Sequence, residues 1–111
     1  MITEDYVSFE TAKLLKEKGF DEECQEYYGD YEYPCPTLQM AMKWLRKEYG
    51  LHCSVDYDYV LGWYCQITSL KETVEYDYEE MKYYHPEKDN GFSSPEEACE
   101  EAIKYCLEKL I

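Results

Sequence analysis

From Leu51 to Tyr59 the chain reads "LHCSVDYDY", and its character changes at every step. Leu51, Cys53, Val55, Tyr57 and Tyr59 fall on one side; His52, Ser54, Asp56 and Asp58 fall on the other. Successive side chains of a strand point to opposite faces, so this pattern predicts a half-buried strand with one dry and one wet side. Gly62 is expected in the turn that follows. "WYCQITSL" then reads as a second strand with Trp63, Cys65 and Ile67 inward. "TVEYDYEEMKYY" repeats the pattern less sharply, with Val74, Tyr76 and Tyr78 alternating against Glu75, Asp77 and Glu79.

A sheet that is dry on one face needs a cover, and the flanking segments have helical periodicity. "PTLQMAMKWLRKEYG" has Thr37 as cap, Gly50 as stop, and Leu38, Ala41, Met42, Leu45 and Tyr49 as a stripe, which predicts a helix over 38–49. "SFETAKLLKEKGF" predicts another over 8–18, from Ser8 to Gly19, with Phe9, Ala12 and Leu15 on one face. The last, "GFSSPEEACEEAIKYCLEKLI", starts from Ser94 as cap, Pro95 in the first turn and Glu97 in capping-box position. Cys99, Ala102, Ile103, Cys106, Leu107 and Leu110 form its apolar stripe, and Glu100, Glu101 and Glu108 are expected in solvent. Glu96 and Glu97 suit the positive end of the helix dipole.

Between the first two helices lies "ECQEYYGDYEYPC". Gly29-Asp30 fits a two-residue hairpin turn between strands near 23–28 and 31–34, with Pro34 and Pro36 ending the pairing. The expected fold is therefore α+β, in the order α-β-β-α-β-β-β-α: a small antiparallel sheet with helices packed on one face. One domain is expected over 1–111, with a helix plus hairpin in 8–34 and an α-β-β-β-α unit in 35–111.

Leu, Ile, Val and Phe supply only 20 of 111 residues. Fourteen tyrosines and two tryptophans compensate, because each ring buries on the order of 150–250 Å². The core is thus expected to be aromatic-rich. Twenty-five acidic residues against 11 basic ones give a net charge of −14. Such a surface repels phosphate backbones and anionic lipid and favours a protein partner with a basic surface, with no direct nucleic-acid contact. The start "MITEDYVSFE" has no basic region and no apolar run, and no stretch reaches the ~20 apolar residues of a membrane helix. A cytoplasmic location follows as the expectation, without membrane insertion. Cys24, Cys35, Cys53, Cys65, Cys99 and Cys106 are then reduced thiols; pairing stays open only if a leader has been removed.

The motifs of catalysis are missing from the sequence. It has no glycine-rich phosphate loop, no nucleophile elbow, no C-x-x-C and no H-x-x-x-H. No catalytic residue, metal ligand or cofactor site is assigned. The candidate site is an interaction face: Asp56, Asp58, Glu75, Asp77 and Glu79 on one side of the sheet, alternate carboxylates ~7 Å apart. Phosphates along a nucleic-acid strand have a comparable spacing, so the face could act as a charge mimic in a basic groove. Exposed tyrosines among acids could also grip a basic peptide by cation–π contact. The alternative function is a small-ligand binder or enzyme with a pocket between the sheet and Trp44 or Trp63. Homo-oligomerisation stays open.

The order of elements in 36–111 resembles that of double-stranded-RNA-binding domains. That family implies lysines at the start of the last helix; "SSPEEACEE" offers Glu96, Glu97, Glu100 and Glu101 instead. In "VSFETAKLLKEKGFDE", "CPTLQMAMKWLRKEYGLH" and "GFSSPEEACEEAIKYCLEKLI" the chain resembles small proteins of gut Bacteroidales and their phages or prophages. No site residue carries over from them. The resemblance implies a short accessory protein of phage or mobile-element type acting inside a bacterium.

Overall fold

The computed structural model describes residues 4–60, 62–70, 74–75 and 92–111. Helix α1 spans Phe9–Glu17, and the Ser8 hydroxyl accepts the Thr11 N–H at its start. At its end Gly19 adopts φ 101°, the left-handed region that favours glycine. The Gly19 N–H then reaches the Lys16 carbonyl, and the Phe20 N–H reaches that of Leu15. This satisfies the last turn and drops Phe20 into the core, 2% exposed. Helix α2 spans Leu38–Tyr49, capped by Thr37 and closed by Gly50 at φ 67°. Helix α3 spans Pro95–Tyr105, with the Ser94 hydroxyl accepting the Glu97 N–H at 3.1 Å; a π-helical turn, Cys106–Leu110, continues it.

The strands are β1 (Glu26–Tyr28), β2 (Tyr33–Cys35), β3 (Leu51–Asp58), β4 (Gly62–Ser69) and β5 (Val74–Glu75). The order α-β-β-α-β-β-β-α stands. Among the described residues the strands form two antiparallel sheets, however: a β1-β2 ribbon and a β3-β4-β5 sheet. Helices α2 and α3 cover one face of the larger sheet, and α1 packs on β2 and α3. One continuous apolar cluster joins them, from Leu15 and Phe20 through Leu45 and Ile67 to Ile103 and Leu107. Ala12, Ala41, Ala98 and Ala102 are fully buried, which suits close approach of the helices.

Several local expectations change. The first hairpin closes by Tyr28↔Tyr33, so four residues separate its strands, not two. Both Gly29 and Tyr31 take positive φ there. Pro34 does not stop the pairing but sits opposite Tyr27; a two-stranded ribbon has only edge strands, where a missing N–H is tolerated. Gly62 is not in the turn but opens β4 opposite Asp58. Phe9 is 47% exposed and lies edge-on to the rings of Tyr28 and Tyr33 at 5.3 and 5.4 Å. Trp44 joins the core of α2, against Phe20 and Tyr49. The alternation predicted for 76–84 lies outside the described residues.

Candidate interaction face

The β3–β4 register determines which side chains share a face. Leu51, Cys53, Val55 and Tyr57 pair with Ser69, Ile67, Cys65 and Trp63. This inner row meets the helices, and Cys53, Cys65 and Ile67 are almost wholly buried. The other row pairs His52 with Thr68, Ser54 with Gln66, Asp56 with Tyr64 and Asp58 with Gly62. Ser54 and Asp56 are exposed and Asp58 half-buried. No lysine or arginine belongs to this outer row of β3 and β4.

Of the five acids assigned to the face, Asp56 and Asp58 therefore share the outer side. Glu75 occupies the β5 position paired with Thr68, an outer-row residue. Asp77 and Glu79 lie outside the described residues. Both aspartates also serve the backbone: Asp56 Oδ1 accepts its neighbour's N–H, from Tyr57, at 2.8 Å, and Asp58 Oδ1 accepts that of Val60 at 2.8 Å. The second contact is an Asx turn that shapes the hairpin tip.

At the tip the inner row emerges from its cover. Leu51 is 4% exposed at the far end of β3, whereas Tyr57 is 54% exposed, and beyond it Tyr59 and Val60 reach 89% and 67%. Tyr57 and Trp63 face each other across the hairpin with ring centres 5.0 Å apart. Sequence reasoning placed Tyr57 and Tyr59 inward from the alternation alone. The pattern does not say where the helical cover stops.

The acids of α3 are placed differently. Glu100 was expected in solvent, but its Oε1 accepts the Ser8 N–H at 2.9 Å and the Thr11 hydroxyl at 2.7 Å. It thus satisfies the start of α1 from the other end of the chain. Its position was partly legible: three and seven residues before Ile103 and Leu107, it flanks the buried stripe. The Glu97 carboxylate accepts from the Ser93 hydroxyl. Lys104 pairs with Glu10 at 3.4 Å.

All six cysteines are free thiols. Cys53 Sγ lies 3.7 Å from Cys106 Sγ, and Cys99 Sγ lies 3.3 Å from Met42 Sδ. Burial pushes the Cys65 and Cys99 thiols up to about 12, and the Cys106 contact together with burial pushes Cys53 well up. Thiols so placed stay protonated at neutral pH and are poor nucleophiles. Among the described residues, no group of three or more His, Cys, Asp or Glu could hold a metal ion. Trp44 lines an open groove of about 220 Å³ with Phe20, Met40, Lys43 and Lys47. Another, of about 260 Å³, runs between α2, α3 and β3 past Met42, Cys53 and Cys99. No described helix is long and apolar enough to cross a membrane. Comparison with family models, curated proteins and solved structures gives no match to this chain.

Proposed function

We propose that this chain is a small acidic protein-interaction module that engages a basic partner through the outer face of its β3-β4-β5 sheet. The observation that carries the reading is the β3–β4 register, which groups Asp56 and Asp58 on the face that α2 and α3 leave uncovered. A carboxylate row with no cation of its own strand pair attracts Lys and Arg and steers their approach. The finer reading is charge mimicry of nucleic acid by an accessory protein of phage type. The ~7 Å repeat of alternate strand residues supports it, as does the net charge of −14. Glu96, Glu97, Glu100 and Glu101 on α3 argue against phosphate binding at the position where an RNA-binding domain would present lysines.

The test is a titration with an oligolysine peptide at about 50 mM and about 500 mM salt, where screening lengths differ roughly threefold. It compares the native chain with Asp56→Asn/Asp58→Asn and with a control that removes two exposed charges elsewhere, Glu23→Gln/Glu108→Gln. The reading predicts that salt weakens binding and that the sheet-face variant loses more affinity than the control. Equal losses from both variants would mean that only net charge matters and would overturn the assignment of the face.

A further inference from the structure

Among the described residues β3 is an edge strand of the β3-β4-β5 sheet, paired on one side only. Three contacts show which residues turn their backbone groups to the other side. The Leu70 N–H reaches the Gly50 carbonyl at 2.7 Å, and these two residues continue the β3–β4 register by one step. Hydrogen-bonded and non-bonded pairs alternate along an antiparallel ladder. His52, Ser54, Asp56 and Asp58 therefore bond to β4, while Leu51, Cys53, Val55 and Tyr57 point their N–H and C=O groups away from it. Trp63, opposite Tyr57, accordingly exchanges hydrogen bonds with Phe92 across the other side of β4, at 2.8 and 3.4 Å. The Tyr57 N–H, outside the ladder, donates to Asp56 Oδ1 at 2.8 Å. Leu51 and Cys53 are buried, whereas Ser54, Asp56 and Tyr57 are exposed and Val55 is half-buried, so the open stretch of edge is 54–57.

We propose that this edge takes up an extended segment of a basic partner as a further antiparallel strand, one in which apolar and basic residues alternate. An added strand satisfies an open edge through its main chain and is selected by its alternate side chains. Residues directly opposite one another in a ladder share a face. The partner residue opposite Val55 lies on the helix side, where Leu38, Met42, Val55 and Cys99 line a groove of about 260 Å³. An apolar side chain suits that position. The partner residue opposite Asp56 lies on the outer side, in a non-hydrogen-bonded pair, where side chains approach most closely. A lysine or arginine suits it. A second copy of the chain would bring another net charge of −14 to the same edge, which disfavours self-pairing. The proposal rests on the acidic-face reading and adds the backbone pairing and the alternation that the partner must supply.

The probe is an end-capped octapeptide of alternating valine and lysine, compared with the same residues arranged in two blocks. Binding is read by calorimetry and by amide hydrogen exchange. The alternating peptide should bind more tightly than the blocks and should slow exchange of the Val55 amide. In the proposed register only the valine N–H groups face β3. N-methylation of the valines should therefore weaken binding about tenfold, the size of one or two net hydrogen bonds, and N-methylation of the lysines should leave it within about twofold. Equal effects of the two methylated sets, a larger effect of the lysine set, or an unprotected Val55 amide would overturn the strand. If Asp56→Asn/Asp58→Asn weakens binding in that case, the acidic-face reading survives alone; if it does not, both fall. Self-association of the native chain that protects the Val55 amide without peptide would make the occupant a second copy and would also overturn the proposal.

Discussion

The two faces of the β3–β4 pair are one residue apart in sequence and opposite in what they tolerate. Inward, Cys53 meets Cys106 of the turn that continues α3; that contact and burial hold the Cys53 thiol neutral, and burial does the same for Cys65 and Cys99. Outward, Asp56 and Asp58 share a row of β3 and β4 that contains no lysine or arginine. A strand's period of two is enough to separate a layer that cannot ionise from one that presents charge. The net charge of −14 is therefore not one property of the molecule. Glu100 is committed to the start of α1, Glu97 to the start of α3, and Asp56 to the displayed face.

The most severe way to break this contrast is to move a carboxylate across it. Ile67→Asp places an unpaired charge at a position 1% exposed and should cost more than about 4 kcal/mol, enough to unfold a marginal domain. Gln66→Asp, one residue along on the outer row, should stay within about 0.5 kcal/mol of the native chain. Urea unfolding followed by circular dichroism reads both, and similar midpoints would refute the two-faced sheet.

Alkali attacks the same contrast without mutation. The thiols of Cys65 and Cys99 ionise near 9.0 when unfolded and at about 12 in the fold. Their folded values are raised, so the stability from keeping them protonated is complete below pH 9 and is lost as pH rises towards 12. The melting temperature should fall across that window, and Cys65→Ala/Cys99→Ala should flatten the fall. An unchanged slope in that variant would mean that the inner thiols are not what alkali titrates.

Glu100→Ala should come next in size. It removes the acceptor of the Ser8 N–H and of the Thr11 hydroxyl, whose residue is fully buried, and charged hydrogen bonds of this kind contribute about 1.5–3 kcal/mol. Asp56→Asn should change stability least, by about 0.5 kcal/mol or less. Thermal denaturation of the two variants side by side sharpens the contrast between an acid used by the fold and an acid shown to solvent. Equal losses would erase it.

The features closest to the chain were legible in the sequence. Ser8, Thr37 and Ser94 cap α1, α2 and α3 because their hydroxyls act within one turn. The 51–59 alternation gave the two faces for the same local reason. What escaped depends on partners far away in sequence. Glu100 finds Ser8 across 92 positions, and Trp44 is buried because Phe20 and Tyr49 close on it. The open tip depends on where α2 and α3 stop covering the sheet, a length match that no single segment encodes. The four-residue hairpin loop shows a nearer failure: Gly29-Asp30 fits a two-residue turn, but Tyr31 also takes a left-handed φ of 61° and widens it.

The central claim is that the outer row of β3 and β4 is the surface a basic partner meets. The most direct measurement is a two-dimensional NMR titration of the labelled chain with oligoarginine. The account predicts shifts concentrated at His52, Ser54, Asp56, Asp58, Tyr64 and Gln66 and at the hairpin tip, with the α3 amides from Glu96 to Glu101 unmoved. Shifts centred on α3, or spread evenly over every acidic residue, would contradict it.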